Sequence, residues 1–456
     1  MSQVHDQAMQ YVYQQVLQRL LEHMSQVQRA SLQLLVQRLV VAAGGLAHIG
    51  DFTVLLLDGG DRRSAHALAC LRAAQLTIAN RSQGTFTLRV AVARVGGFGG
   101  QALDNCERRF SALFLHDDPR VELLMIEAGQ VLAFDARRTQ PILEQEREAL
   151  LLFGHLTGAR PSYLVGSRQQ LALADAYCQV LDWNGGANAL VCAVPARQRQ
   201  RYLAWARRCL RSAGQATEQP LQACARTLAQ GLSHLHQSLG QQLRMDEAGP
   251  AWVRHCDVSA APLQVIAIDE LLNDLKAPAR LEEMLGHRDD RPYFVSPLAA
   301  SLDPLLPAHL QGLYGQYVTR DGYEQGLEAF ARQPVAGTGK RRWPAMEQVR
   351  CDAMALVARD YGLGEQQLVC MLYAPFIGRG QHLDYFLRRC HPAMLVALPY
   401  LHRALQGKAC PQAVERWLVT TSGLDLTQLQ RLYRHRLETG HGLLTRLARR
   451  DIDLRR

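Results

Sequence analysis

One stretch, residues 49–100, limits what this chain can fold into more than any other. Phe52-Thr53-Val54-Leu55-Leu56-Leu57 is a nearly continuous apolar run, the pattern of a strand buried on both faces. Asp58-Gly59-Gly60-Asp61 then turns the chain, and Asp61 or Ser64 stands where a cap is needed for a helix over residues 64–80. A longer, β-branched strand is predicted over residues 85–95, and Gly96-Gly97-Phe98-Gly99-Gly100 makes a second glycine turn. A strand–helix–strand unit of this kind belongs to an α/β domain.

The alternation runs on to residue 194, with helices predicted at 101–112, 141–156 and 168–181 and strands at 121–128, 131–135 and 189–194. Before the unit lie two amphipathic helices, one carrying Val12, Val16, Leu20 and Met24, the other Leu32, Leu35, Val36 and Leu39. After it, residues 217–245 read as one long connecting helix, and residues 263–268 as strand-like within a proline-bearing region. From Met346 onward the pattern is helical. The expected fold is an α/β N-terminal domain, a mostly parallel sheet covered by helices, followed by a mainly α-helical C-terminal domain. The expected divisions are 1–48, 49–215, 216–335 and 336–456. Within the last, Gly362-Leu363…Gln367-Leu368 returns as Gly423-Leu424…Gln428-Leu429, the spacing of a duplicated helix–turn–helix hairpin.

Composition narrows the function classes. No apolar run reaches the roughly 18 residues of a membrane span. The polar, helical first residues lack a signal-peptide pattern, so a cytoplasmic location is expected. The eleven cysteines are scattered singly with no C-x-x-C, which predicts reduced, mostly buried thiols and no structural zinc. Net charge is +9, and the lysines are Lys276, Lys340 and Lys408, so the positive charge is nearly all arginine. Arginine forks onto carboxylate and phosphate, which admits a nucleic-acid partner.

Candidate site residues fall in three places. If the strands at 53–57 and 85–95 are parallel, Asp58 and Asp61 share the carboxyl edge of the sheet with Gly97, Gly99 and Gly100. There Gly97-Phe98-Gly99-Gly100-Gln101-Ala102 fits G-x-G-x-x-A, and its backbone N–H groups suit a phosphate. Lys340, Arg341, Arg342 and Trp343 form a basic loop with an aromatic suited to stacking on a base. The preceding Gly337-Thr338-Gly339 does not complete a phosphate loop, because Pro334 and Arg341 stand where glycine and Ser or Thr are needed. Arg431, Arg434 and Arg436 open an arginine-rich C-terminal stretch. No catalytic triad, metal cluster or cofactor motif is present in the pattern, so no catalytic residue, metal or cofactor is predicted.

Ile49-Gly50-Asp51-Phe52 with the strand, helix and strand that follow resembles the central part of diguanylate-cyclase-type domains. The signature glycines and acids are missing, so the resemblance implies a degenerate, inactive, nucleotide-binding sensor. The same span resembles a von Willebrand A-type unit. Asp58, Gly60 and Arg62 stand where that family has D-x-S-x-S, so its metal binding would be lost. Three functions are therefore weighed. The first is a non-enzymatic bacterial cytoplasmic adaptor or assembly protein acting through protein–protein contacts. The others are a nucleic-acid-binding regulator and the degenerate cyclase-like sensor.

Overall fold

The computed structural model describes residues 3–82, 84–95, 100–138, 144–156, 166–212, 221–244, 263–272, 280–288, 305–331 and 345–435. Helices α1 (Gln3–His23) and α2 (Gln26–Ala42) lead into strand β1 (Thr53–Leu57), helix α3 (Arg62–Ala79), strand β2 (Thr87–Arg94) and helix α4 (Gly100–Ala112). Strands β3 (Val121–Glu127) and β4 (Gln130–Ala133) form a hairpin, followed by α5 (Glu144–Leu156) and α6 (Gly166–Leu181). Strand β5 (Ala189–Cys192), helices α7 (Ala196–Ser212) and α8 (Leu221–Arg244) and strand β6 (Gln264–Ala267) complete the α/β part.

The six strands lie in the order β4-β3-β2-β1-β5-β6. Every neighbouring pair is parallel except the β3–β4 hairpin. The chain builds outward from β1 to one edge, then returns to build the other, as in doubly wound sheets. β1 is apolar throughout because both its faces are covered. Val54 and Leu56 enter the core under α3 and α4. Leu55 enters the core under α6.

The α/β layer continues past residue 215, which the sequence pattern does not predict. β6 pairs with β5, Val191 opposite Ile266. Helix α8, expected as a connector, packs on the same face as α6 through Ala225 and Ala229. A short edge strand needs one partner only, so four residues complete the sheet without a marked hydrophobic period.

The amphipathic N-terminal helices form an outer layer over α3. Every residue of α3 from Ser64 to Ile78 is consequently buried. Its buried polar groups are satisfied locally: Arg72 Nη1 donates to Asp118 at 2.7 Å, and the Gln75 amide donates to the Phe86 and Arg120 carbonyls at 3.0 Å.

The helical part comprises α9 (Arg280–Met284), α10 (Leu305–Leu313), α11 (Tyr323–Ala331), α12 (Met346–Tyr361), α13 (Glu365–Tyr373), α14 (Leu383–Cys390), α15 (Leu398–Leu405), α16 (Gln412–Ser422) and α17 (Leu426–Arg434). Helix α9 belongs with the first half, against α1 and α3. The helices from α10 to α17 share one core with α5, α7 and α8. The corner at Gly362–Gln367 and the corner at Gly423–Gln428 have the same local build. Gly362 and Gly423 take left-handed φ of 60° and 74° after α12 and α16, where an L side chain would be strained. Leu363 and Leu424 are buried next to them. Gln367 and Gln428 then reach back to the N–H of Gly364 and Asp425, at 2.9 and 3.0 Å. The later residues of the second copy, Gly440, Leu443 and Leu447, lie outside the described residues.

Candidate functional site

β1 and β2 are parallel, with Leu57 opposite Ala91, so the turn after β1 and the start of α4 share the carboxyl edge. Gly97 and Gly99 lie outside the described residues, and Gly100 opens α4. The acids of the turn face the protein. Asp58 is only 1% exposed, and its Oδ1 accepts from Arg109 Nη1 at 3.1 Å and from the Gly60 N–H at 2.8 Å. Burial pushes this carboxyl above the usual range, and the Arg109 guanidinium works against that. Asp61 is the N-cap of α3, accepting from the Ser64 N–H at 2.7 Å. The two acids thus hold the turn and the helix start, and α4 covers the place where a ligand would approach Asp58.

Gly60 shows how closely α4 sits. Its φ is +72°, and a Cβ there would stand 2.5 Å from the Ala102 carbonyl oxygen. Asn105 Nδ2 also donates to the Gly60 carbonyl at 3.3 Å. Gly60→Ala is expected to cost about 2–4 kcal/mol, from left-handed strain plus overpacking, read as a fall in the urea midpoint.

The buried arginines are functional residues of the fold that pattern reasoning missed. Arg72, Arg89 and Arg109 rank among the largest fully buried side chains. Each meets a carboxylate: Asp118, Glu122 and Asp58 respectively. The available signal was an arginine inside an apolar run, as in Cys70-Leu71-Arg72-Ala73 and Leu88-Arg89-Val90. Part of the arginine excess is therefore internal. Of the described cysteines, Cys70, Cys106, Cys209 and Cys370 are buried, Cys178, Cys192, Cys390 and Cys410 are half-buried and Cys351 is exposed, so the expected burial of the thiols holds for fewer than half; burial pushes the Cys70 thiol up to about 12. Among the described residues no three His, Cys, Asp or Glu side chains gather as metal ligands.

Among the described residues the most exposed large apolar side chain, Val396, lies in the helical part. Residues 392–400, Pro-Ala-Met-Leu-Val-Ala-Leu-Pro-Tyr, contain no charged side chain, yet none of them is fully buried. They form a short 3₁₀ turn (Pro392–Ala397) running into α15. Leu395 and Leu398 lean on the core, while Leu401 and Leu405 are inside it. Ala393, Val396, Tyr400 and Arg403 are exposed at spacings of three, four and three, one face of a helix, and Val396 is 86% exposed.

Positive charge borders that face. Arg388 and Arg389 are exposed on α14, which packs beside the turn, and Arg389 lies over the Tyr385 ring at 5.3 Å. The nearest acid on that helix, Asp384, is bonded to Arg388 at 2.7 Å. Arg431 and Arg434 are exposed in the last turn of α17. Lys340, Arg341, Arg342, Trp343 and Arg436 lie outside the described residues. The Asp58 edge and the arginine-bearing α17 are therefore separate features in different halves of the chain. Comparison with protein-family models, curated proteins and solved structures finds no match.

Proposed function

We propose that this chain is a docking protein that holds another protein against the face Ala393–Val396–Tyr400 of its helical part. The observation that carries it is the uncharged run 392–400, left without full cover on an otherwise well-packed bundle. Contiguous apolar surface costs free energy in water, so such a patch marks a contact site. The bordering Arg388, Arg389 and Arg403 fit a partner segment with an apolar stripe flanked by acids. Helix α15 with its leading turn supplies the contacts: Tyr400 is of the aromatic type that anchors interfaces, and Val396 is the exposed apolar side chain beside it.

The test is co-purification from the native host, followed by size exclusion with absorbance at 260 and 280 nm and mass spectrometry of the peak. A stoichiometric protein partner is expected. Val396→Glu should weaken it at least about tenfold, the effect of losing a central apolar anchor. Val41→Glu, an exposed apolar position on α2, should leave it intact. A complex indifferent to Val396→Glu sinks the proposal. So does a peak carrying nucleic acid and releasing it steeply with salt, which would favour the exposed Arg431 and Arg434 as phosphate contacts.

A further inference from the structure

Beyond the carboxyl ends of β2 and β3 a cavity of about 700 Å³ lies between the sheet edge and three helices. Arg94 and Ile126 belong to its sheet side. Helix α5 brings Glu144 and Glu146, α6 brings Asp175, and α8 brings His236 and Gly240. Crevices outside the carboxyl ends of such strands are where doubly wound sheets take ligands. This one is far from the 392–400 run in sequence and is built by other elements.

The charges on its wall do not cancel. Arg94 is already answered inside the protein, by Glu127 at 3.2 Å and by the Arg138 carbonyl at 2.9 Å. Arg168 answers Glu146 at 2.8 Å. Asp175 is different. Its oxygens accept from Ser233 Oγ at 2.6 Å, Gln237 at 3.3 Å and Gln179 at 3.2 Å, all neutral donors. Among the described residues no cation is bonded to it, so its charge is held by neutral donors alone. His236 stands on the same wall, with its Nδ1 buried and without a hydrogen-bond partner. Burial holds that imidazole below its ordinary range, so the ring adds no positive charge to the wall. A wall with the carboxylates of Glu144 and Asp175, a neutral imidazole and glutamine side chains is complementary to a donor-rich cation, and it repels phosphate.

We propose that this cavity binds a small organic cation, an alkylamine or guanidinium compound, with Asp175 as its counter-charge. The proposal stands independently of the docking surface. Isothermal titration of the full chain with agmatine and with putrescine should give saturable one-site binding of at least one of them. Asp175→Asn keeps the size of the side chain and an acceptor oxygen. It should weaken binding at least about tenfold, as loss of a hydrogen bond to a charged group does. Gly240→Leu tests the cavity itself, and both variants should unfold in urea at the wild-type midpoint, so that lost binding is not lost folding. A Cβ at Gly240 meets nothing within 4 Å, so the larger side chain is accommodated while filling the cavity, and binding should be lost. Val396→Glu should bind as the wild type does. The proposal is overturned if neither amine binds the wild type, if binding survives both Asp175→Asn and Gly240→Leu, or if ATP binds instead and Gly240→Leu removes it.

Discussion

Asp58→Ala should lose about 3–5 kcal/mol of folding stability, because it leaves a buried guanidinium without its counter-charge. Arg109 is 0% exposed, and its Nη1 lies 3.1 Å from Asp58 Oδ1. Its other bonds, to the Asn105 and Asp61 carbonyls at 3.0 and 3.2 Å, fix its position without neutralising it. The alanine also removes the acceptor for the Gly60 N–H, so the turn loses a second restraint. Urea unfolding monitored by circular dichroism reads the effect. A companion variant isolates its cause: Asp58→Asn with Arg109→Met removes the charge from both partners and should recover most of the loss. If Asp58→Ala unfolds at the wild-type midpoint, the carboxylate has no structural role and the turn must be reconsidered as a ligand group.

The second large effect is on acid stability. His155 lies on α5 with both ring nitrogens buried and without hydrogen-bond partners, its ring 5.5 Å from that of Phe376. Burial holds its pKa down to about 3 against 6.5 for a free imidazole. Between about 6.5 and about 3 the unfolded chain binds a proton at His155 and the folded one does not. Stability is therefore fully present above 6.5 and falls as pH falls through that window. His309, bonded to the Tyr323 hydroxyl at 2.7 Å and lowered to about 4, acts in the same direction. From pH 7 to pH 5 the wild type should lose about 2 kcal/mol through His155 that His155→Leu does not lose. Paired urea titrations at the two pH values measure the difference, and identical slopes for both proteins would refute it. Asp118, held down to about 2, covers a lower window: its contribution is present above 3.8 and lost only as pH falls toward 2.

The helices and strands of the α/β half were legible because each buries a face of fixed period. The run Phe52–Leu57 and the β-branched residues of β2 announce a buried sheet. The glycine turn at Asp58 announces a helix start. What the sequence hides is non-local. Asp58 looks like a ligand group at a sheet edge until Arg109, 51 residues on, is seen to occupy it. The strand of residues 264–267 was recognisable, but its place beside β5 depends on a pairing that no local pattern encodes. Residues 392–400 have the composition of a core segment, and only packing shows that Val396 has nothing over it. Asp175 and His236 reach one cavity from helices whose own sequences look like ordinary amphipathic surfaces.

The outer layer over α3 has a consequence for how the chain reaches its fold. Its seam is made late. Arg38 Nη1 bonds the Ala267 carbonyl at 2.9 Å, and Gln264 Nε2 bonds the Ala42 carbonyl at 2.9 Å. Helix α9 then meets α1. The two N-terminal helices are thus fastened by segments more than 220 residues later. A nascent chain that has made α3 but not β6 carries an apolar helix whose cover is not yet locked. Such long-range closure slows folding and prolongs exposure of sticky surface. The α/β half becomes a finished object only when its beginning and its end meet.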